Sequence, residues 1–309
     1  MIRYFMAFDG VYSIIPTAFT DAGDFDAASQ RAVVDLFIAK GANGLTALGV
    51  TGEVARLEER ERAAVLEVVV EQAAGRVPII AGTSAEGTRT CISYTRQAKD
   101  LGASAVMVSP PRMPKLNSAA VVNHYKALAG AVDLPIIVQD YPPITGFAME
   151  PALLARIAQE IPSARTIKLE DPPTPFKTAR ILEAAGDTQV QIFGGLGGVF
   201  LLEELLAGAT GAMTGFAFPE ILARIMQHWN AGEKDAAADI FYRAVPLMRF
   251  EFQEGIGMAI RKEVLRRRGA LASAATRAPA GALDAPTTQA LDRVLAWVTS
   301  QKGMEWISV

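Results

Sequence analysis

The stretch GASAVMVSP, residues 102–110, has two counterparts elsewhere in the chain: GANGLTALG at 41–49 and GATGAMTGF at 208–216. Each begins with a glycine that can end a helix in the left-handed conformation, and an apolar strand follows within a few residues. We interpret the three stretches as one recurring helix-to-strand joint. They indicate a fold in which helices and strands alternate.

Short apolar runs rich in Val and Ile recur at a spacing of roughly 30 residues, and segments of helical period separate them. Because the runs have no polar face, they are typical of parallel strands covered by helices. The pattern predicts an α/β fold, a (β/α)8 TIM barrel over residues 1–230. The eight runs begin near Val11, Asn43, Val77, Ala103, Leu134, Ala164, Val190 and Gly211.

Beyond the eighth unit the strand pattern stops, and we expect a C-terminal helical extension over residues 231–309, packed on the barrel. Helical segments are predicted at 233–253 and 255–269, and a final helix at 289–301, after a loose stretch rich in Ala and Pro. We interpret the basic run RKEVLRRRG, residues 261–269, as a solvated helix face; a docking patch is the alternative.

Composition and charge limit the possible partners. Half of the 309 residues are apolar, which favours a large core, and a net charge of −3 gives no basic surface for nucleic acid. The single cysteine, Cys91, excludes an internal disulfide and suits a reducing compartment. The first nine residues are too short and too early interrupted by an acid for a signal peptide, and no apolar run could span a bilayer. We therefore expect a cytoplasmic protein with no membrane partner.

Lys168, in TIKLED at residues 166–171, is the candidate nucleophile. A lysine buried at a strand end loses hydration, which lowers its pKa and frees the neutral amine that a Schiff-base lysine needs. The alternative is an edge-strand lysine that points into water. Alternation along the strand places Glu170 on the same face, where it could tune the amine or bind substrate; otherwise it is a solvated loop acid.

The other predicted strand ends carry small, polar and glycine residues, which suits a small polar substrate held partly by backbone N–H groups. GVTGE, residues 49–53, is a candidate cradle for a carboxylate, with a plain tight turn as the alternative. GGLGG at 194–198 could hold a phosphate, but no basic group is evident near it. His124 and His228 fall in predicted helices, so we expect no metal and no cofactor.

Together these residues resemble the dihydrodipicolinate synthase/N-acetylneuraminate lyase family of class I aldolase barrels, over essentially the whole chain. The resemblance implies a Schiff base between Lys168 and pyruvate or another 2-oxo acid, and a homo-oligomer, either a dimer or a tetramer. It is carried by GVTGE at 49–53, PIIAGTS at 78–84, GASAVMVSPP at 102–111, YPPITG at 141–146, IKLE at 167–170 and GATGAM at 208–213.

The resemblance also implies roles for further residues. The carboxylate of the 2-oxo acid would rest on the turn formed by Gly49, Val50, Thr51 and Gly52. Gly195, through its backbone carbonyl, and Met213 would line the pocket.

Several positions depart from the family pattern. Gln139 stands in the slot of the tyrosine that relays protons, and Tyr141, two residues on, is a candidate replacement. Val50 replaces a hydroxyl residue, and Arg112 stands near the position of a second tyrosine. Ile144 occupies the position of the arginine that binds the second substrate in the synthases proper, which argues against that activity.

The sequence therefore predicts a Schiff-base lyase, either an aldolase or a dehydratase, that acts on a 2-oxo acid. The alternative is a catalytically degenerate family member that binds a 2-oxo acid for sensing or has a structural role. The sequence leaves the physiological substrate open.

Overall fold

The computed structural model describes residues 8–309 and contains a closed barrel of eight parallel strands in chain order. Each strand lies at one of the eight apolar runs, so the predicted TIM barrel is confirmed. The sequence predicts that the first nine residues do not form a signal peptide, and residues 1–7 of them lie outside the described residues. The strands are β1 (Gly10–Ile14), β2 (Gly44–Ala47), β3 (Ile79–Gly82), β4 (Ala105–Val108), β5 (Ile136–Asp140), β6 (Thr166–Leu169), β7 (Gln191–Gly194) and β8 (Gly211–Thr214).

Helices follow the strands and cover the barrel. Two of them begin at residues typical of helix starts: the Asp26 side chain accepts from the Ser29 N–H at 3.0 Å before α1, and Pro219 is the first residue of α9. The helices are α1 (Ala27–Ala39), α2 (Glu59–Ala73), α3 (Thr88–Asp100), α4 (Ser118–Ala131), α5 (Pro142–Thr145), α6 (Pro151–Glu160), α7 (Thr174–Ala185), α8 (Leu201–Leu206), α9 (Pro219–Asn230), α10 (Lys234–Glu251), α11 (Gly257–Arg267) and α12 (Ala285–Thr299).

The three helix-to-strand joints have the backbone conformation that their glycines predict. Gly41, Gly102 and Gly208 have φ values of +90°, +96° and +103°, a region that side-chain-bearing residues rarely adopt. Each glycine turns the chain from the end of a helix into a buried strand, and the prediction of a recurring joint is confirmed.

The inside of the barrel is a separate apolar cluster beneath the ends of the strands. Tyr12 and Phe193 lie at its centre with ring centroids 5.2 Å apart, and Met213 is fully buried among the same residues. These side chains fill the barrel and form a floor, so any cavity inside it has to lie above them, at the carboxyl ends of the strands.

Three helices, α10 to α12, continue the chain after α9. Helix α12 begins at Ala285, four residues before the predicted start, because the Asp284 side chain caps it by accepting from the Thr287 N–H at 2.8 Å. No helix among residues 8–309 is long and apolar enough to cross a membrane. The division into a barrel over residues 1–230 and an extension over 231–309 stays a prediction.

The prediction of a solvated basic face over residues 261–269 is wrong for three residues. Arg261, Lys262 and Arg268 are buried or nearly so, whereas Arg266 is half-exposed. Lys262 is fully buried, with Nζ 2.5 Å from the Oε1 atom of Glu53 in the GVTGE turn. The helix packs onto the top of the barrel, and its cations meet carboxylates there that the sequence order does not reveal.

We expect Lys262→Met to lower the free energy of unfolding by about 3 kcal/mol, because Glu53 would lose its closest cation while it stays buried. Arg56 and the Arg277 N–H, both 3.0 Å from Glu53, would remain and limit the loss. Urea unfolding followed by circular dichroism measures the change.

Arg266→Met is the matched control for this experiment, because its pair with Glu263 lies at the surface and should contribute less than about 1 kcal/mol. Equal, small effects of the two substitutions would contradict the view that the Lys262–Glu53 pair fixes α11 to the barrel.

Candidate active site

A cavity of about 210 Å³ opens above the barrel floor, at the carboxyl ends of the strands. Its small volume, below the ~300 Å³ of pockets for drug-sized ligands, suits a small acid. It brings together five of the residues predicted for the site, namely Val50, Thr51, Tyr141, Lys168 and Glu170.

Lys168 lies in β6 with its side chain 2% exposed, so the alternative of an edge-strand lysine in water is excluded. Its Nζ donates to Oε2 of Glu170 at 2.6 Å. Burial lowers the pKa of Lys168, the negative charge of Glu170 acts in the opposite direction, and the positive charge of Arg261 lowers it further. The amine is therefore held near a carboxylate that can exchange a proton with it.

Glu170 is buried and is not a solvated loop acid. It follows Lys168 by two residues, so both side chains point to the same side of the strand. The absence of a side chain at Gly195 makes room for it: a Cβ on Gly195 would lie 2.3 Å from Cγ of Glu170. The predicted proximity of Glu170 to the amine is what the structure shows.

Gln139 connects the ion pair to the neighbouring strand. It lies in register with Lys168 on β5, and its Nε2 donates to Oε2 of Glu170 at 2.7 Å. Its Oε1 accepts from the Ser109 hydroxyl at 3.0 Å. Oε2 of Glu170 thus accepts from both an ammonium and an amide, and Gln139 positions the carboxylate without offering an ionisable proton.

The GVTGE turn forms one wall of the site. The Gly52 N–H donates to the Gly49 carbonyl at 3.0 Å, and the Gly52 carbonyl accepts from the Thr17 hydroxyl at 2.6 Å. Glu53 closes the turn with a positive φ of 55° and binds Arg56 and Lys262. The Thr17 hydroxyl therefore holds the turn at Gly52, and Lys262 of α11 holds it at Glu53.

The remaining predicted residues lie at different distances from this cavity. Met213 belongs to the buried floor, and Gly195 packs against Glu170. Arg112 is exposed and lines a separate depression together with Ile144, so the structure does not bring it to Lys168.

Sequence reasoning missed two charged residues of the C-terminal helices. Arg261 of α11 lines the cavity, and Glu251 at the end of α10 lies next to it, with Oε2 3.7 Å from Nε of Arg261. Burial raises the pKa of Glu251 to about 7. The run Ala259-Ile260-Arg261-Lys262 is the one signal in the sequence, because two cations directly follow apolar residues that such a helix would bury.

A buried lysine–carboxylate pair in a cavity at the carboxyl ends of a closed parallel barrel defines an enzyme site of the TIM-barrel kind. A model of the dihydrodipicolinate synthetase family matches residues 7–297, and the chain belongs to this family. Enzymes of the family are class I lyases, and this chain is a lyase of that class.

Relatives of known name cover most of the chain. It is 34% identical to an L-2-keto-3-deoxyarabonate dehydratase from Azospirillum brasilense, over 87% of this chain and 88% of the relative. It is 30% identical to a 4-hydroxy-tetrahydrodipicolinate synthase from Methanosphaerula palustris, over 94% and 99%. The crystal structure of a dihydrodipicolinate synthase from Rhodopseudomonas palustris matches with a TM-score of 0.88 at 32% identity, over 94% and 97%.

We expect Glu170→Gln to move the reactivity of Lys168 to lower pH. Only the neutral amine reacts, and the charge of Glu170 raises the pKa of Lys168 against the effect of burial. Removing that charge lowers the pKa of Lys168, so the acid limb of the labelling profile shifts to lower pH. Labelling with acetic anhydride at a series of pH values, read at Lys168 by peptide mass spectrometry, measures the shift.

Glu254→Gln provides the comparison, because Glu254 is a cavity carboxylate that makes no contact with Lys168. Its acid limb should coincide with that of the unaltered protein. If the acid limb of the labelling profile stayed at the same pH in Glu170→Gln, or moved to higher pH, the ion pair would not control the pKa of Lys168.

Proposed function

We propose that this lyase acts on pyruvate or another 2-oxo acid by forming a Schiff base at Lys168. The observation that carries the proposal is the buried Lys168 Nζ, 2.6 Å from Glu170 in a cavity of small-acid size. The neutral amine attacks the carbonyl carbon of the substrate, and the carbinolamine then loses water to give a protonated imine. The imine accepts the electron pair of a neighbouring C–H or C–C bond, so that a proton or a carbon fragment can leave.

The GVTGE turn is proposed to bind the carboxylate of the 2-oxo acid. Thr51 offers a hydroxyl at the cavity wall, and the backbone amides of Val50 and Thr51 supply donors without a counter-charge. Val50 contributes no hydroxyl, but its amide remains. Because the turn is fixed by Thr17 and Lys262, its donors need little rearrangement when the acid binds.

Glu170 is proposed as the group that moves protons at the imine. It is in direct contact with Nζ, whereas Gln139 has no proton to exchange. Tyr141 also lines the cavity, but burial and the charge of Glu170 raise its pKa, so its hydroxyl stays protonated at neutral pH and does not serve as a base. The carboxylate can take a proton from the ammonium, return it to the hydroxyl that leaves as water, and later remove a proton from the carbon next to the imine.

Of the two reactions that the sequence leaves open, aldol chemistry and dehydration, we propose dehydration. Ile144 provides no cation for a second substrate in an aldol addition, and a relative at 34% identity is a keto-deoxy sugar acid dehydratase. In such a reaction the imine loses a C3 proton to form an enamine, the C4 hydroxyl leaves with a proton as water, and hydrolysis of the imine releases the product. The homo-oligomer and the cytoplasmic location stay predictions.

We expect borohydride reduction of the protein with pyruvate to leave a covalent adduct on Lys168, because reduction fixes the imine as a secondary amine. Intact mass and peptide mapping locate the adduct. Lys168→Met should give none, and the buried, ion-paired Lys177 and Lys262 serve as internal controls that should stay unmodified.

If pyruvate and a panel of longer 2-oxo acids all gave no adduct, while a known class I aldolase did, imine chemistry at Lys168 would be ruled out. The protein would then be the degenerate family member that binds a 2-oxo acid without turnover. The replacement of the relay tyrosine by Gln139 is the observation that favours this second candidate.

We expect Glu170→Gln to slow imine formation by roughly 10²- to 10⁴-fold, the usual contribution of a positioned acid–base group. Tyr141→Phe should slow it by less than about tenfold. Both rates are measured by timed borohydride trapping at a pH where the amine is neutral, so that the change in its pKa does not contribute. A larger loss in Tyr141→Phe would assign the proton relay to Tyr141.

A further inference from the structure

Arg261 carries a positive charge in the cavity that the proposed chemistry at Lys168 does not use. Its side chain is 10% exposed and reaches from α11 to the cavity wall. Within the part of the chain that the structure describes, its guanidinium makes no hydrogen bond, and Nε is buried without a partner. A guanidinium has five donors, so this is an unusual loss of interactions for a group removed from water.

The carboxylates near Arg261 do not satisfy it. Glu251 is the closest, but Oε2 stands 3.7 Å from Nε and accepts instead from the Ala217 N–H at 3.0 Å. Oε1 of Glu251 has no partner among residues 8–309. Glu170 is engaged by Lys168 and Gln139, and Glu254 is exposed at the rim. Tyr141 faces the same space.

A comparison within the cavity shows that this arrangement is particular to Arg261. Arg56 lies in the same wall, but its guanidinium donates to Glu53 at 3.0 Å and to the Pro279 carbonyl at 3.1 Å. Lys168 is bound to Glu170 at 2.6 Å. Of these three cavity cations, Arg261 is the one whose donors face the cavity unengaged.

We propose that Arg261 binds a second carboxylate on the substrate, at the end distant from the carbonyl that Lys168 attacks. The substrate would then be a dicarboxylic 2-oxo acid, with its first carboxylate on the GVTGE turn. The inference rests on the proposed Schiff-base function and adds the substrate class to it.

A carboxylate fits the site better than a hydroxyl does. The planar fork of a guanidinium matches a carboxylate in two parallel hydrogen bonds, and the pair compensates both the missing donors and the buried charge. A hydroxyl would accept one hydrogen bond and leave the charge as it is. The Lys168–Glu170 pair is neutral as a unit, so it does not repel the second carboxylate.

The test compares two 2-oxo acids of the same shape in the borohydride trapping assay at Lys168. One is 2-oxoglutarate, and the other is 5-methyl-2-oxohexanoate, in which an isopropyl group replaces the distal carboxylate. The quantity measured is the concentration that gives half-maximal trapping. In the unaltered protein we expect 2-oxoglutarate to be favoured by roughly tenfold or more, the effect of a charge-assisted hydrogen-bonded pair.

Two variants should move this preference in opposite directions. Arg261→Leu removes the cation and should abolish the preference for 2-oxoglutarate or reverse it. Glu251→Gln removes the competing carboxylate, keeps an oxygen for the Ala217 N–H, and should increase the preference. If Arg261→Leu failed to fold, as judged by circular dichroism, Glu251→Gln and Arg261→Lys would still test the inference, the lysine weakening the preference by loss of the bidentate geometry.

The outcomes separate this inference from the function on which it rests. Trapping of pyruvate without a preference for 2-oxoglutarate would overturn the role of Arg261 and leave the Schiff base intact. A preference that survives in Arg261→Leu would assign the distal carboxylate to another group and also overturn it. No trapping of any 2-oxo acid would refute the proposed function itself, and the inference with it.

Discussion

The site depends on the cost of keeping charges in the interior of a barrel. Lys168 is almost entirely removed from water, and a lone ammonium there would give up its proton or destabilise the fold. Glu170 prevents this at a distance of 2.6 Å, and Gln139 and Ser109 fix the carboxylate in turn. One ion pair therefore both permits a buried lysine and keeps a proton acceptor beside it.

The same constraint explains why the C-terminal helices belong to the site. Buried carboxylates at the top of the barrel, at Glu53 and Glu251, face cations from α11, at Lys262 and Arg261. The Lys262–Glu53 pair is tight and fixes the GVTGE turn, whereas the Arg261–Glu251 pair is open at 3.7 Å. Neighbouring residues of one helix thus perform different tasks: one positions the turn, and the other leaves a charge facing the cavity.

The sequence predicts the barrel and the buried lysine because both leave local signals. Strand runs recur with glycine joints, and a lysine inside an apolar strand has few structural explanations. It did not identify Arg261, because α11 packs against turns that come much earlier in the chain, such as the one that holds Glu53. The apolar residues just before Arg261 are the one local sign of that packing. Arg112 shows the reverse error: its position after β4 suggested the site, but its side chain is exposed beside Ile144.

Gln139 is the departure from the family pattern whose physical consequence is clearest in the structure. An amide at this position donates to Glu170 through Nε2 and accepts from Ser109 through Oε1, and unlike a phenol it has no ionisable proton. Because Gln139 has no ionisable proton and holds Glu170 in contact with Nζ, the proposed mechanism assigns proton transfer to the residue beside the lysine and not to the β5 side chain. In the proposed mechanism the proton relay lies in Glu170, so Tyr141 and the wall formed by α11 remain available to recognise the rest of the substrate.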